Sequence, residues 1–266
     1  MRYVPAPGTD LTAESWCAGV EGAMYSVNAK EWALFLDLDG TLVDIRPSPR
    51  DVVPSAGLVK TLEHLDQAFH GAVAIVSGRT IEDVDAVLAP LKLVAAGVHG
   101  IQLRSSPLAG IVTVAKSFPA QLLQHLTDLS NQIEGIFIEC KGPAVAVHYR
   151  RVPSQRRFVE HALRELVADY DQHLEISQGR MVYEIIPRHY SKGQALELLL
   201  KLPKFAGRRP VMIGDDAPDV SALTAAARLG GIGLKVAGEF FTPAEADFKN
   251  THQVRHWLSQ IPGVAG

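Results

Sequence analysis

The feature that most constrains this chain is a short apolar run that ends in two carboxylates. Residues Phe35–Leu42 contain an apolar strand pattern followed by D-x-D-G-T, in which the acids are Asp37 and Asp39. Side chains two residues apart on an extended strand point to the same face, so both carboxylates face one place. Two such charges repel each other unless a cation or a shared reaction stabilises them. The pattern predicts a nucleophile, an acid/base or a metal-ligand set, and the structural alternative is an Asp-Gly surface turn.

Two later segments repeat this arrangement of an apolar run followed by small or polar residues. Val73–Val76 is followed by Ser77, and Pro210–Ile213 is followed, after one glycine, by Asp215. In a parallel sheet the carboxyl ends of the strands lie at one edge, which is where open α/β sheets bind their ligands. We therefore expect these polar residues to converge. The neighbouring positions of interest are Gly78, Arg79, Asp216 and Asp219.

Lys192 stands at a position where a lysine is electrostatically unfavourable. Ser191 is a plausible N-cap of an amphipathic helix, so Lys192 lies in the first helical turn. The positive end of the helix dipole disfavours a cation there. The position is explained if Lys192 faces an anion, although a solvated lysine is an equally good reading of this residue taken alone.

Together these four segments resemble the four motifs of the haloacid dehalogenase superfamily of phosphoryl-transfer enzymes. The resemblance implies that Asp37 is the nucleophile, Asp39 the acid/base, Ser77 the phosphate-holding hydroxyl and Lys192 the charge-neutralising group. It also implies Mg²⁺, because a carboxylate can attack an anionic phosphoryl group only when that charge is offset. The metal ligands implied are Asp37, the main-chain carbonyl of Asp39 and Asp215, with Asp219 and Asp216 in support.

The order of predicted elements indicates an α/β fold with an insertion. Residues 31–106 and 188–266 alternate strands and helices, as in the doubly wound, Rossmann-like parallel sheet of the superfamily core. Residues 107–187 depart from that order and are predicted to form an inserted α+β domain, which at this place resembles the larger, C2B-like type of cap found in the superfamily. Residues 1–30 form a polar lead of unknown role, with one predicted helix near 11–24.

The insert is predicted to contain two βαβ-like halves that share one sheet. Its predicted strands are 111–114, 136–140, 144–149, 174–177 and 181–186, and its predicted helices are 119–133 and 155–170. A last helix is predicted near residues 254–258 of the core.

Several motifs in and beside the insert resemble the trehalose-phosphate phosphatase family. They are Gly97–Gly100, Lys141 with Ala146–Arg150, Gly179–Pro187 and Asp44–Pro49, within a likeness that spans about residues 33–235. The resemblance implies that the cap recognises the sugar, since the core supplies chemistry common to all phosphate esters. The substrate-binding residues it implies are Gly78, Arg79, His99, Lys141, Arg150, Arg180 and Glu184.

Each of these residues also has a purely structural reading. Arg180 and Glu184 are four residues apart and share one side of a strand, where an exposed ion pair would also lie. His99 lies between two glycines and can be a hydrogen-bonded loop residue. In addition, Pro218 and Val220 replace the hydroxyl and the acid that the family usually has around Asp219, which leaves metal affinity open.

The resemblance implies a Mg²⁺-dependent phosphatase that hydrolyses trehalose 6-phosphate through an aspartyl-phosphate, with a functional link to a trehalose-phosphate synthase. The alternatives are a phosphatase for another sugar phosphate, such as sucrose or mannosylglycerate phosphate, and a phosphomutase on the same core. A non-catalytic sugar-phosphate sensor is a further alternative, but a sensor has no need of both Asp37 and Asp39.

Composition narrows the partners and the compartment. The 266 residues carry a net charge near −3 and no basic stripe, which argues against nucleic acid as a partner. No apolar run is long enough to span a membrane, and the first residues lack the apolar segment of a signal peptide. Cys17 and Cys140 have no metal-type spacing and fit a reducing compartment. We therefore expect a cytoplasmic protein that acts on a small molecule.

Overall fold

The computed structural model describes residues 29–46, 51–170, 172–179 and 181–261. The helix predicted near 11–24 and the predicted sugar ligand Arg180 lie outside these residues. Within the described ranges, no helix combines the length and the apolar character that a membrane span requires.

Eleven strands and seven α-helices follow one another along this part of the chain. The strands are β1 Trp32–Leu36, β2 Val73–Val76, β3 Val94–Gly97, β4 Gln102–Arg104, β5 Val112–Thr113, β6 Phe137–Cys140, β7 Val145–His148, β8 Leu174–Gly179, β9 Val182–Pro187, β10 Arg209–Gly214 and β11 Ile232–Lys235. The helices are α1 Leu58–Ala68, α2 Ile81–Leu88, α3 Ala120–Gln132, α4 Arg156–Val167, α5 Lys192–Leu199, α6 Val220–Arg228 and α7 Thr251–Gln260.

The larger sheet has seven strands in the order β11-β10-β1-β2-β3-β4-β5. The first five are parallel, and β4 and β5 are added antiparallel at one edge. All residues of β1 and β2 are buried, as expected for parallel strands covered by helices on both faces. This arrangement confirms the predicted α/β fold with a mostly parallel, doubly wound sheet.

Register brings the ends of the central strands together. Leu36 of β1 lies beside Ile75 of β2 on one side and Ile213 of β10 on the other. The amide of Asp37 then donates to the carbonyl of Ile213 at 3.0 Å, so β1 and β10 stay paired up to the first carboxylate. The residues that follow these three strands therefore share one edge of the sheet, as the sequence predicts.

The smaller sheet has four strands in the order β6-β7-β9-β8, and every neighbouring pair is antiparallel. The prediction of two βαβ-like halves was therefore wrong, because βαβ units give parallel strands. The short connections β6–β7 and β8–β9 form hairpins, which pair antiparallel. The predicted strand 111–114 was also misplaced: it forms β5, which pairs with β4 in the larger sheet.

The two faces of the smaller sheet differ in chemistry. Val145 and Val147 pack with Leu126 of α3 and Leu163 of α4 in a separate apolar cluster. Residues of opposite parity, including Glu139 and Glu184, lie on the other face. The sheet thus has one apolar face under its two helices and one face with polar residues that is free to contact the core domain.

Candidate active site

Lys192 lies between two carboxylates at the edge of the larger sheet. Its ammonium donates to Oδ1 of Asp37 and to Oδ1 of Asp219, each at 2.6 Å. Ser191 caps α5 by accepting from the amide of Gln194 at 3.2 Å, which fixes Lys192 in the first turn as predicted. All three charged side chains are buried, and Asp219 has no exposed surface. The unfavourable helix position of Lys192 is thus offset by two anions.

Asp215 follows β10 and faces the loop after β1. Its Oδ1 accepts from the hydroxyl of Thr41 at 3.2 Å. A Cβ on Gly40 would lie 2.1 Å from Oδ2 of Asp215, and Gly40 has a φ of 84°. Only glycine satisfies both conditions, because a side chain would collide with Asp215 and strain the backbone. The glycine of D-x-D-G-T is therefore required by the close approach of the second carboxylate.

The cluster carries more negative than positive charge. Burial raises the pKa of Asp37 to about 7, with the charge of Asp219 adding to the rise and Lys192 opposing it. Burial, followed by the charges of Asp37 and Asp219, raises the pKa of Asp215 to about 9. Burial alone would lower the pKa of Lys192, but Asp219 and Asp37 outweigh it and raise that pKa. The carboxylates are therefore crowded beyond what one lysine compensates.

This crowding fits a hard divalent cation. One carboxylate oxygen each from Asp37, Asp215 and Asp219 lie within 4.8 Å of one another, and Mg²⁺ prefers such oxygen ligands. Asp219 is already fully engaged, because its Oδ2 accepts from the amides of Asp215 and Asp216 at 3.1 and 3.0 Å while Oδ1 binds Lys192. Asp37 and Asp215 are thus the carboxylates best suited to hold a cation, with Asp219 fixing the loop behind them.

Asp216 does not join this cluster. Its carboxylate accepts from the amide of Ala217 at 2.8 Å and caps the short 3₁₀ turn Ala217–Asp219. Pro218 fits the start of that turn because its missing N–H would have no partner there. Ser221 ties this loop to α5, since its hydroxyl accepts from the amide of Gly193 at 3.1 Å. The departure from the family pattern around Asp219 therefore leaves the loop intact.

Asp39 and Ser77 lie beside the cluster but are held differently. Both oxygens of Asp39 accept from the guanidinium of Arg79, from Nε at 2.6 Å and from Nη2 at 2.7 Å. Ser77 is buried after β2, and its hydroxyl accepts from the amide of Arg79 at 3.2 Å. Arg79, predicted to bind substrate, thus contacts the predicted acid/base directly.

A second buried cluster joins the two sheets. Glu184 of β9 accepts from Nζ of Lys141 at 2.7 Å and lies 2.5 Å from Nε2 of His99. Lys141 also donates to the main-chain carbonyl of Gly78 at 2.8 Å. Gly78 and His99 follow strands of the larger sheet, whereas Lys141 follows β6 and Glu184 lies on β9 of the smaller one. Four of the predicted substrate-binding residues therefore meet at one place, where they pair with each other.

Charge pairing explains why Glu184 tolerates burial. Burial alone would raise its pKa, but His99 and Lys141 outweigh this and hold the pKa well below its usual value. The carboxylate is therefore ionised and accepts only, so Nε2 of His99 is the donor in their bond. Burial likewise would lower the pKa of Lys141, and the charge of Glu184 raises it instead.

Two further contacts lie on the same side of the smaller sheet. The guanidinium of Arg150 donates to the main-chain carbonyl of Arg46, in the segment after the D-x-D-G-T loop. Glu139 of β6 pairs with His148 of β7 at 2.8 Å, and β7 separates Glu139 from Glu184 of β9. Glu139 and Thr41 are not among the site residues predicted from the sequence. Glu139 could have been found because it lies in register with Glu184 on the same face of the sheet. Thr41 could have been found because it is the threonine of D-x-D-G-T.

The comparisons with known proteins agree with this geometry. A family model described as trehalose-phosphatase matches residues 35–244. A probable trehalose-phosphate phosphatase of Sinorhizobium fredii is 35% identical over 79% of this chain and 80% of its own length. The trehalose-6-phosphate phosphatase of Escherichia coli is 35% identical over 87% of this chain and 86% of its own length. The C-terminal domain of the C. albicans trehalose-6-phosphate phosphatase superposes with a TM-score of 0.78 at 20% identity, covering 97% of this chain and 100% of that domain.

The solved structure shares the α/β fold of this chain, and the family model and the two relatives define a phosphatase. Within that class, the chain belongs to the trehalose-phosphatase family.

Proposed function

We propose that this protein hydrolyses trehalose 6-phosphate to trehalose and inorganic phosphate. The observation that carries the proposal is the position of Asp37, buried at 2.6 Å from Lys192 and grouped with Asp215 at the edge of the sheet. The substrate is supported by family membership and by the names of the relatives from Sinorhizobium fredii and Escherichia coli.

We propose Mg²⁺ as the cofactor, held by Asp37 and Asp215 and by the main-chain carbonyl of Asp39. A bound Mg²⁺ would offset the charge of the phosphoryl group and of the two carboxylates. The proposal is supported by the donor set, which contains only oxygen, and by the excess of negative charge around Lys192. Removal of divalent cations with a chelator should abolish hydrolysis, and Mg²⁺ should restore it; full activity in the chelator would contradict this assignment.

The residues of the chain have distinct roles in the proposed reaction. An oxygen of Asp37 forms a bond to phosphorus while the bond between phosphorus and the sugar oxygen breaks, and Asp39 gives its proton to that oxygen. Water then attacks the aspartyl-phosphate, Asp39 takes a proton from the water, and phosphate leaves Asp37. Lys192 and the hydroxyl of Ser77 stabilise the phosphoryl charge.

The ion pair between Asp39 and Arg79 must open during this sequence. A carboxylate with both oxygens held by a guanidinium is a poor proton donor, because the pairing favours its ionised form. Entry of an anionic phosphate gives Arg79 a competing partner and releases Asp39 for proton transfer. Arg79 would then contact both substrate and acid/base, at different stages.

The cap residues are proposed to select the sugar. Lys141 and Glu184 stand at the boundary between cap and core, so a sugar bound there would meet charged groups that form strong bonds to hydroxyls. Arg150 and Arg180 are proposed to complete the contacts. We also propose that residues 107–187 form a cap domain on the core. The exception within this range is β5, which pairs with β4 and belongs to the core.

A substrate panel tests the function directly. Phosphate release is measured at fixed Mg²⁺ with trehalose 6-phosphate, glucose 6-phosphate, sucrose 6-phosphate and mannosylglycerate phosphate. We expect kcat/KM to be highest for trehalose 6-phosphate. Preference for another member would reassign the substrate, and transfer of phosphate to another position of the sugar without phosphate release would indicate a mutase.

Replacement of the nucleophile tests the mechanism. Asp37→Asn should lower kcat by at least about 10⁴-fold, because an amide cannot form the aspartyl-phosphate. Binding of the sugar phosphate, measured by calorimetry, should persist. Asp128→Asn, at an exposed position on α3, is the matched control and should leave kcat unchanged. Turnover by Asp37→Asn at the normal rate would contradict the assigned nucleophile.

We further propose a cytoplasmic location and a functional link to a trehalose-phosphate synthase, which would supply the substrate. Both rest on the family and on the sequence. Cell fractionation and co-purification with such a synthase test them, and recovery only from a membrane or secreted fraction would contradict the location.

A further inference from the structure

A cleft distinct from the carboxylate cluster lies where the cap meets the core. It has a volume of about 440 Å³. Its core side is formed at the start of α2 and by β4 and β5, and its cap side by the β6–β7 turn. Thr80, Gln102 and Thr113 line the core side, and Gly142 lines the cap side. Lys141 is the residue that the cleft shares with the buried Glu184 cluster.

Gln102 presents an unused donor to this cleft. The residue is only 9% exposed, and its Oε1 accepts from the amide of Ile81 at 2.8 Å. Because that amide requires an oxygen acceptor, the side-chain orientation is fixed and Nε2 is directed away from Ile81. Within the described residues Nε2 makes no hydrogen bond, and it is not sealed inside the protein. A nearly buried amide group with two free N–H donors on a cleft wall favours a ligand that offers acceptors.

The remaining polar groups indicate what kind of ligand fits. Thr113 and Ser117 are exposed, and their hydroxyls have no hydrogen-bond partner among the residues described. The ammonium of Lys141 is already bound to Glu184 and Gly78, and the exposed acid Glu82 also lines the cleft, so the lining disfavours an anion. Hydroxyl and amide groups, which both donate and accept, match a neutral molecule with many hydroxyls.

We propose that this cleft is a second carbohydrate site, which binds a neutral saccharide of one or two rings separately from the catalytic centre. The volume lies within the range of small-molecule sites, about 300–1,000 Å³. The ligand would accept from Nε2 of Gln102 and exchange hydrogen bonds with Thr113 and Ser117. It would touch cap and core together, so it binds best when they are arranged as in this structure and thereby favours that arrangement.

Glucose and trehalose are the probes for the test. Binding to the full-length protein is followed by calorimetry and by changes in the amide spectrum. Gln102→Glu keeps the oxygen that accepts from Ile81 and removes both free donors. Thr113→Trp fills the cleft from the exposed strand β5. Each should weaken saccharide binding about tenfold or more, the effect of losing one or two good hydrogen bonds or the binding volume.

Val112→Trp is the matched control, because Val112 is exposed on the same strand with its side chain on the opposite face. It should change saccharide affinity by less than about twofold. Ser117→Ala is a milder second variant that removes one hydroxyl. Hydrolysis of p-nitrophenyl phosphate should be unchanged in Thr113→Trp, and this result would show that the variant is folded. Because p-nitrophenyl phosphate contains no sugar, this control does not depend on which sugar phosphate is the substrate.

Several results would overturn the proposal. Absence of saccharide binding, or equal affinity in Thr113→Trp and the wild type, would remove the site. A raised KM of Thr113→Trp for the sugar phosphate would make the cleft part of the substrate site. Displacement of the Gln102 side-chain signals by inorganic phosphate, with no response to the sugars, would replace the neutral ligand by an anion.

Discussion

The carboxylate cluster of the core and the Glu184 cluster at the cap boundary are two buried charge clusters with opposite arrangements. In the first, the cation Lys192 lies between the anions Asp37 and Asp219, and Asp215 adds a further acid. In the second, the anion Glu184 lies between the donors Lys141 and His99. The first cluster has three carboxyl groups and one cation, whereas the second has one carboxylate held by two side chains.

The two clusters also differ in which parts of the fold supply their residues. Every member of the first cluster follows a strand of the larger sheet or lies in a turn or helix beside it, and its three carboxyl groups around one lysine favour a cation. In the second cluster, Gly78 and His99 come from loops that follow strands of the larger sheet and Lys141 and Glu184 come from the β6–β7 turn and β9, so its bonds form only where the two sheets meet. The first cluster thus depends on the larger sheet alone, while the second depends on how the two sheets meet.

Removing the central cation of the first cluster should have the largest effect. Lys192→Met leaves Asp37 and Asp219 buried without their partner, and breaking a buried ion pair in this way costs about 3–5 kcal/mol. The free energy of unfolding in urea should fall by that order, and kcat should fall by about 10³-fold because the phosphoryl charge loses a stabilising group. If the cluster lacks positive charge, Mg²⁺ should restore part of the stability but not the turnover.

Lys201→Met, at an exposed lysine just beyond the end of α5, is the control and should change stability by less than about 0.5 kcal/mol. Wild-type stability of Lys192→Met in a chelator would show that the cluster is not short of positive charge, and the comparison between the clusters would fail.

Removing the central anion of the second cluster should have a smaller and more selective effect. Glu184→Gln keeps the shape but gives Lys141 or His99 an amide instead of a carboxylate. We expect kcat/KM for the sugar phosphate to fall about ten- to a hundredfold, as for the loss of one charged hydrogen bond of 1.5–3 kcal/mol. Hydrolysis of p-nitrophenyl phosphate, which has no sugar, should change less than about threefold.

Glu175→Gln provides the control, because Glu175 lies on β8 of the same sheet with a half-exposed side chain. It should leave both substrates unaffected. Equal losses with the sugar phosphate and p-nitrophenyl phosphate in Glu184→Gln would mean that the second cluster also supports the chemistry, which removes the distinction between the two.

The core site could be predicted from the sequence because its information is local. Asp37, Ser77 and Asp215 each follow a run of apolar residues, and a parallel sheet places such positions at one edge whatever the details of packing. Lys192 was identified by its unfavourable place at a helix start. The bond between Lys192 and Asp219 and the close approach of Asp215 to Gly40 required coordinates, because they depend on how two loops pack.

The cap was predicted less completely for a physical reason. Its helices and strands were found by periodicity, with α3 predicted as 119–133 and observed as Ala120–Gln132. The direction of its strands was wrong, because periodicity reports which face a residue occupies and says nothing about pairing. The pairing of Glu184 with His99, 85 residues away in sequence, crosses two domains and leaves no local signal.

The smallest expected effect is that of replacing Arg79. This replacement tests whether Arg79 acts with the carboxylate cluster or with the Glu184 cluster. The sequence predicts a substrate ligand, whereas in the structure its guanidinium holds both oxygens of Asp39. Arg79→Lys keeps the charge but loses the paired geometry, since an ammonium cannot bind a carboxylate through a planar fork. If Arg79 positions Asp39 and then contacts the phosphate, kcat should fall about tenfold and KM should change by one common factor for the sugar phosphate and p-nitrophenyl phosphate, because both carry the phosphate.

If Arg79 instead acts as a sugar ligand of the cap boundary, KM for the sugar phosphate should rise while kcat and the hydrolysis of p-nitrophenyl phosphate stay the same. Arg157→Lys, at an exposed position on α4, is the control for the loss of a guanidinium. We expect the first pattern, because Nε and Nη2 contact Asp39 at 2.6 and 2.7 Å and the partner proposed to release them is the phosphate that both substrates carry, not the sugar. A rise in KM for the sugar phosphate only, with kcat unchanged, would assign Arg79 to the cap boundary and leave Asp39 without a positioning residue in the core.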